Sequence, residues 1–481
     1  MMTGIMGQID WLNSGFVLLG FAVVALLADL FLKKQWPKAA FQLSCLGLLI
    51  TMVIGFSPFG DYGRLMFHGL IANDDMSRLM NAAICLTVFL TFVYSRHYID
   101  ERHIPSGEYY VLGMLATIGM TTLVSAHSLL TIYLGLELVS LPLYALTAIR
   151  RFDGNCSEAS VKYLVMGAIA SGMLLFGMSL MYAATGVLDL YALSQRIAEI
   201  APNERLLMNF GLVFIVAGVG FKMAAVPFHM WAPDVYTGAP TSVTMLIGAA
   251  PKIAAVGMAL RLLTMGLADL SAQWQPMILM MALLSTGLGN LLAVVQTNIK
   301  RLLAYSAISH MGYVLLGLVA LSVGGYSAAI YYVMMYAMMS MGAFGLMVLI
   351  SSTGEDIEKV YDLKGLHQRS PWLALMMMIV LFAMAGVPPT VGFLAKFWVL
   401  QALVDVHMVW VAILGLIFAV IGAYYYLSIV KVMYFDEAVN NTPIVLPKFV
   451  LGVFSLNCLA LLYWGIFPSS LMNACTMVLS G

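Results

Sequence analysis

Apolar runs of about twenty residues, separated by short polar stretches, recur along this whole chain. A helix of about 20 apolar residues matches the hydrocarbon thickness of a bilayer. The pattern therefore predicts about fourteen spans, near 14–32, 39–56, 76–95, 109–124, 128–149, 160–184, 207–230, 242–266, 274–296, 300–320, 325–351, 371–400, 407–434 and 447–467. The longest stretches between them, 56–76, 185–206 and 351–370, are too small for a folded soluble domain. The expected fold class is an all-α polytopic membrane protein. The first apolar run, from Phe16 to Leu32, follows Asp10 and precedes Lys33 and Lys34, the wrong polarity for a cleavable signal, and reads as a retained span.

The seventh and twelfth segments are interrupted. The seventh carries Lys222 and then Pro227; the twelfth carries Pro388 and Pro389 and then Lys396. Proline removes a helical N–H and frees a carbonyl, which at membrane depth is tolerated only where protein or water can satisfy it. Five spans separate the two breaks, and an odd shift inverts the topology. Residues 109–266 and 267–434 thus read as two inverted five-helix repeats with discontinuous helices seven and twelve. A three-helix segment, 1–108, precedes them, and a C-terminal helix, 435–481, follows. Interrupted helices at matching places in two halves point to a transport path.

Composition agrees with that picture. At 62% hydrophobic and 10% charged, the chain exceeds what a soluble core can bury. Zero net charge gives no reason to expect nucleic acid as a partner; the lipid bilayer is the expected surround. The cysteines Cys45, Cys85, Cys156, Cys458 and Cys475 form no CxxC and no cluster, so no metal, iron–sulfur or other redox cofactor is expected in this chain. Its 37 methionines, without ligand spacing, read as packing side chains. Lysine and arginine divide unevenly. Alternate loops hold fourteen, among them Lys33, Arg102, Arg150 and Lys300; in or near the others lie five, among them Arg64 and Arg261. By the positive-inside rule the first set is cytoplasmic, which places both termini outside.

The remaining four lysines lie inside spans: Lys162, Lys222, Lys252 and Lys396. With them lies Glu137, about ten residues into its span. A charge at mid-bilayer costs at least about 2.5–3.5 kcal/mol, so such residues mark wet cavities or ion paths. Lys252 follows Pro251, and His229 lies seven residues after Lys222 across the break. His310 shares a helix face with Ser306 and Tyr313, imidazole beside hydroxyls. Lys162, near the start of its span, suits either a path or an anchor that snorkels to the headgroups. Burial disfavours an ammonium and a nearby carboxylate favours it. At an effective dielectric near 20, opposite charges about 4 Å apart interact by about 4 kcal/mol, roughly a thousandfold in proton affinity. Shifting that perturbation along Glu137, Lys222, Lys252, His310 and Lys396 can load and unload protons without a redox group.

Four segments carry a resemblance: GLELVSLPLY around Glu137, GFKMAAVPFHMWAPDVYTGAP around Lys222, QTNIKRLLAYSAISHMGY around His310 and GVPPTVGFLAKFWVL around Lys396. In order and over nearly the whole chain, they resemble the antiporter-like proton-translocating subunits of respiratory complex I, related to subunits of Mrp cation/proton antiporters. The resemblance implies fourteen helices with two inverted repeats, and a charged chain across the membrane middle matching Glu137, Lys222, Lys252, His310 and Lys396. Subunit-M-like members tend to carry glutamate where this chain has Lys396. Further implied is a bacterial inner-membrane subunit that couples NADH:quinone oxidoreduction to proton movement. NADH, FMN, iron–sulfur clusters and quinone are then bound by other subunits. The implied neighbours are a subunit-M-like antiporter subunit and small membrane subunits. An Mrp-type cation/proton antiporter subunit is the alternative reading.

Overall fold

The computed structural model describes residues 14–56, 64–201, 205–351, 356–438, 444 and 446–480. The termini, whose side of the membrane the charge pattern addresses, lie outside these, as do parts of the loops 56–76, 185–206 and 351–370.

Helices dominate. The first six are α1 (Ser14–Leu32), α2 (Ala39–Phe56), α3 (Asp75–Glu101), α4 (Ser106–Val124), α5 (Leu129–Thr147) and α6 (Gly154–Thr185). After α7 (Leu190–Glu199), α8 (Leu206–Met223) and α9 (Trp231–Gly238) share the expected seventh segment. The eighth is divided too, into α10 (Thr241–Gly248) and α11 (Ala250–Leu260), and closes in a π turn over Arg261–Gly266. Then come α12 (Ser271–Val294), α13 (Ile299–Val319), α14 (Val323–Ile350) and the one-turn α15 (Leu366–Arg369). The interrupted twelfth segment is α16 (Pro371–Ala385) and α17 (Val391–Asp405); α18 (Val409–Phe435), α19 (Lys448–Ile466) and α20 (Ser469–Ser480) complete the chain.

Eleven helical stretches among the described residues are long and apolar enough to cross a membrane, against about fourteen expected. The other three expected segments are helical but shorter or more polar. The apolar part of α2 is Ala39–Gly55, α4 is diluted by Glu108, Thr117, Thr121 and Thr122, and α16 stops at its proline break.

Other differences are local. The loop 56–76 holds an antiparallel hairpin, β1 (Arg64–Met66) with β2 (Ile71–Asn73), Leu65 opposite Ala72. In α7, which begins where Asp189 Oδ1 accepts from Ala192 N at 2.9 Å, Leu190, Leu193 and Ile197 turn one face inward. The expected single C-terminal helix is two, and α20 packs back on α14. Lys300, read from sequence as a loop charge, and Arg261, read as in or near a loop, are buried at 3% and 1% exposure. Both sit at span ends, where one-dimensional hydropathy cannot tell a headgroup from the interior of a bundle.

The core is organised around α14, buried along almost its whole length and packed against α3, α10, α11, α13 and α17. The peripheral α1, α18 and α19 keep wide apolar faces outward, as lipid-facing helices do. Helices α4 and α5 approach so closely that a Cβ on Gly119 stands 2.5 Å from the Val139 nitrogen, so only glycine fits there. That crossing fixes α5, and with it Glu137 and Ser140, against the rest of the bundle.

Candidate functional site

The chain turns sharply at the end of α8. Ala224 adopts a left-handed conformation (φ 58°), and its N–H and that of Ala225 close back on Phe221 and Gly220 carbonyls. Pro227 has no N–H to give the Met223 carbonyl, the last of α8. Lys252 Nζ, from the start of α11, donates to it instead at 3.2 Å. A cation at a helix C-terminus also sits at the negative end of the helix dipole. Lys252 is 1% exposed, and its ammonium lies 5.1 Å over the Trp231 ring. Trp231 Nε1 in turn donates to the Phe221 carbonyl at 3.0 Å.

Lys222, one residue before that carbonyl, points elsewhere. Its Nζ donates to Ser140 Oγ on α5 at 2.7 Å, and Ser140 donates to the Leu136 carbonyl at 2.6 Å. Glu137, one turn before Ser140, is half-buried and forms no ion pair with a lysine among the described residues. Its charge still acts on Lys222 through space. The direct partner of Lys222 is therefore a serine hydroxyl, which the sequence did not single out. Lys222, Lys252, Ser140, Trp231 and Tyr163 line a cavity of about 30 Å³, enough to admit a water molecule between the two ammonium groups.

The second break repeats the device. α16 ends at Ala385, Gly386 takes the left-handed conformation (φ 86°), and the Gly386 and Val387 N–H groups close back on the Phe382 carbonyl. Pro388 and Pro389 are the residues four beyond Met384 and Ala385, so both carbonyls lose a donor. Lys396 Nζ donates to both, at 3.1 and 2.8 Å. In each half a buried lysine thus satisfies the last carbonyl of a broken helix. The peptide bonds Val226–Pro227 and Pro388–Pro389 are both cis.

His310 joins the second half into a polar chain. It is 4% exposed, with Nδ1 2.9 Å from Tyr332 Oη and Nε2 3.0 Å from Tyr426 Oη. One ring nitrogen donates and the other accepts in the neutral imidazole, so a proton can leave on one side as another arrives on the other. Tyr426 also hydrogen-bonds Ser306. Tyr332 stacks on Tyr313, and Lys396 Nζ lies 5.6 Å over the Tyr313 ring. Along α14, Tyr332, Tyr336 and Ser340 recur at four-residue spacing, one helix face over about 12 Å. Tyr336 packs on His310, and Ser340 Oγ donates to the Gly248 carbonyl at 3.3 Å, just before α11 and Lys252. This hydroxyl stripe was missed in sequence because tyrosine counts as apolar; its i, i+4, i+8 spacing in YYVMMYAMMS is the signal that reveals it.

Two candidates stand apart. His229, in the turn after the break, is half-buried and hydrogen-bonds neither Lys222 nor Lys252; its buried Nδ1 has no protein partner. Lys162 is 44% exposed and pairs with Glu158 at 2.8 Å and Asp234 at 3.0 Å. That geometry suits an anchor at the end of the span better than a path, and Lys162→Ala is expected to leave proton movement and assembly at wild-type level in membrane vesicles. A threefold loss of proton movement in the assembled complex would put Lys162 on the path.

Arg261 anchors the far end of the Lys252 helix. Its guanidinium grips Asp74 with two contacts of 2.6 Å, while Nε donates to the Val124 carbonyl, near the end of α4, at 3.0 Å. Asp74 also caps α3 by accepting from Ser77 N at 2.9 Å. Burial pushes the Asp74 carboxyl up, but the Arg261 hydrogen bonds and charge, with those from Ser77, outweigh it and hold it below the ordinary value. A lowered folded-state value contributes stability above the unfolded value and loses it as pH falls through the folded one. The clasp is therefore expected to persist down to about pH 4, and its salt-bridge signal in infrared difference spectra should fade only below that.

Among the described residues, no group of three or more His, Cys, Asp or Glu side chains gathers into a metal-binding set, and the five cysteines are buried and unpaired. Residues 126–422 match the family described as NADH:quinone oxidoreductase/Mrp antiporter, TM. The chain is 50% identical over 452 residues to an NADH-quinone oxidoreductase subunit N from Coxiella burnetii, covering 93% of this chain and 94% of the relative. It is 47% identical over 458 residues to the subunit N of Nitrosomonas europaea, covering 95% of each. Among solved structures, a chain of respiratory complex I from Thermus thermophilus superposes with a TM-score of 0.80 at 29% identity, covering 96% of this chain and 98% of that one. The match takes in the segments that hold Glu137, Lys222, Lys252, His310 and Lys396, and this chain belongs to the NADH:quinone oxidoreductase/Mrp antiporter transmembrane family.

Proposed function

We propose that this protein is a proton-translocating membrane subunit of a respiratory NADH:quinone oxidoreductase. Protons pass along Glu137, Lys222, Lys252, His310 and Lys396, with Ser140 and the tyrosines Tyr313, Tyr332, Tyr336 and Tyr426 completing the line. One observation carries this reading: Lys252 and Lys396, buried at the two helix breaks, hydrogen-bond carbonyls rather than fixed carboxylates, and His310 bonds the buried hydroxyls of Tyr332 and Tyr426 nearby. A buried ammonium bonded to carbonyls and not to a carboxylate can give up its proton when a neighbouring charge changes.

The chain itself acts as a translocase without redox chemistry. NADH, FMN, iron–sulfur clusters and quinone belong to other subunits of the complex. Residues 109–266 and 267–434 act as inverted five-helix units, supported by their matching breaks. A subunit-M-like neighbour and small membrane subunits flank the chain in a bacterial inner membrane, with both termini outside. The skew of lysine and arginine between loops supports that orientation.

The test uses inverted membrane vesicles carrying Lys222→Met in the assembled complex. NADH-driven acidification and NADH:quinone turnover are expected to fall together, by tenfold or more. Wild-type values of both would make the buried lysine structural and end the relay reading. Co-purification with flavin and iron–sulfur absorbance separates this reading from an Mrp-type antiporter, which would purify without them.

A further inference from the structure

We propose that Lys300 is a further proton-carrying station, lying beyond Lys252 toward the lysine- and arginine-rich side of the membrane; the inference rests on the relay reading above. Lys300 stands near the start of α13, in the loop set by sequence, yet its side chain is buried. Nζ donates to the Ala239 carbonyl at 3.1 Å, the C-cap of the short helix α9. As at Lys252 and Lys396, a buried lysine amine serves a carbonyl at the end of an interrupted helix, here one that also accepts from Thr244 Oγ1 at 3.4 Å. Here the interruption is Pro240, between α9 and α10.

The position links Lys300 to Lys252. Helix α9 begins at Trp231, under the Lys252 ammonium, and ends at the carbonyl that holds Lys300. Its eight residues set the two lysines roughly 12 Å apart along the helix. Beside it, the buried hydroxyls of Tyr236, Thr241 and Ser242 have no protein partner, so each is free to bond water. Thr241 and Ser242 open α10, which leads into α11 and Lys252.

A counter-ion waits outside. Asp356, after α14, is held by Arg102 at 3.0 Å, Arg150 at 3.5 Å and the Tyr98 hydroxyl at 2.9 Å. Tyr98 Oη also accepts from Thr241 N at 3.4 Å. Both guanidinium groups and the Tyr98 hydroxyl engage Asp356, and its charge acts on Lys300 through space. The charges of Glu358 and Arg150 and the Cys156 thiol also act on Lys300. The second half of the chain, through Asp356, thereby biases a lysine that feeds the first-half break.

The test compares Lys300→Met with Lys300→Arg in the full complex in inverted vesicles, beside Lys222→Met. Arginine keeps the charge and a donor for Ala239 but does not release a proton near neutral pH. A carrier predicts that both Lys300 variants lose NADH-driven acidification tenfold or more, with the complex assembled. Wild-type acidification in Lys300→Arg would assign Lys300 a structural role and overturn the inference, as would an unaffected Lys300→Met. Should Lys300→Met fail to assemble, the arginine variant decides alone by the same two outcomes. Loss in Lys222→Met with none in the Lys300 variants removes only this station; wild-type acidification in Lys222→Met removes the relay and the station together.

Discussion

Lys396→Met is expected to stop proton translocation by the assembled complex, lowering NADH-driven acidification tenfold or more. The side chain is 9% exposed and supplies the donor that Pro388 and Pro389 deny to Met384 and Ala385. Methionine keeps the volume and removes both the donor and the titratable group. Leaving the two carbonyls unpaired costs about 1–3 kcal/mol each where water cannot reach, so some loss of subunit stability accompanies the functional loss. Lys396→Arg separates the two effects. It can still donate to the carbonyls, and should restore stability in a thermal-release assay while acidification stays low. Recovery of acidification by arginine would show that the donor alone matters, and that no proton passes through residue 396.

Arg261→Ala has the largest expected effect on stability. The guanidinium is 1% exposed and joins three elements: the end of the α11 span, the cap of α3 through Asp74 and the end of α4 through Val124. Breaking a fully buried pair costs about 3–5 kcal/mol because the other charge is left behind; the Asp74 side chain is 36% exposed, so water screens part of that cost here. The subunit should be lost from the detergent-solubilised complex at temperatures where wild type is retained. Asp74→Asn in the Arg261→Ala background relieves the stranded carboxylate and should recover part of the loss. No recovery would mean that packing, not charge, holds the junction.

The sequence showed the interruptions most clearly, because proline next to lysine inside an apolar run has few physical explanations. It placed Lys222, Lys252 and Lys396 at or beside the breaks, and the structure puts them there. It did not show which carbonyl each lysine would serve. The Met223 carbonyl was legible as an orphan from Pro227, yet its donor is Lys252 from another segment, a pairing that only packing decides. Ser140 was invisible for the same reason, and Tyr332 and Tyr426 because their rings resemble core packing. The burial of Lys300 and Arg261 was not legible, since a charge at a span end looks alike whether it meets headgroups or the middle of a bundle. Hairpin β1–β2 and helix α7 escaped because their segments are short, and their order comes from the surfaces they cover.

The two breaks are built alike but anchored differently, and that sets what each can sense. Lys252 belongs to α11 and grips the end of α8, so any sliding between those helices stretches or shortens the bond directly. Lys396 belongs to α17 and grips the end of its own preceding half, α16, so moving that pair as one body leaves the bond unchanged. The first break therefore works as a gauge of displacement between neighbours, and the second as a gauge of bending within a single segment. A sliding of α8 against α11 would register at Lys252 and leave Lys396 unmoved. A flexing of residues 386–390 would register at Lys396 and leave Lys252 unmoved.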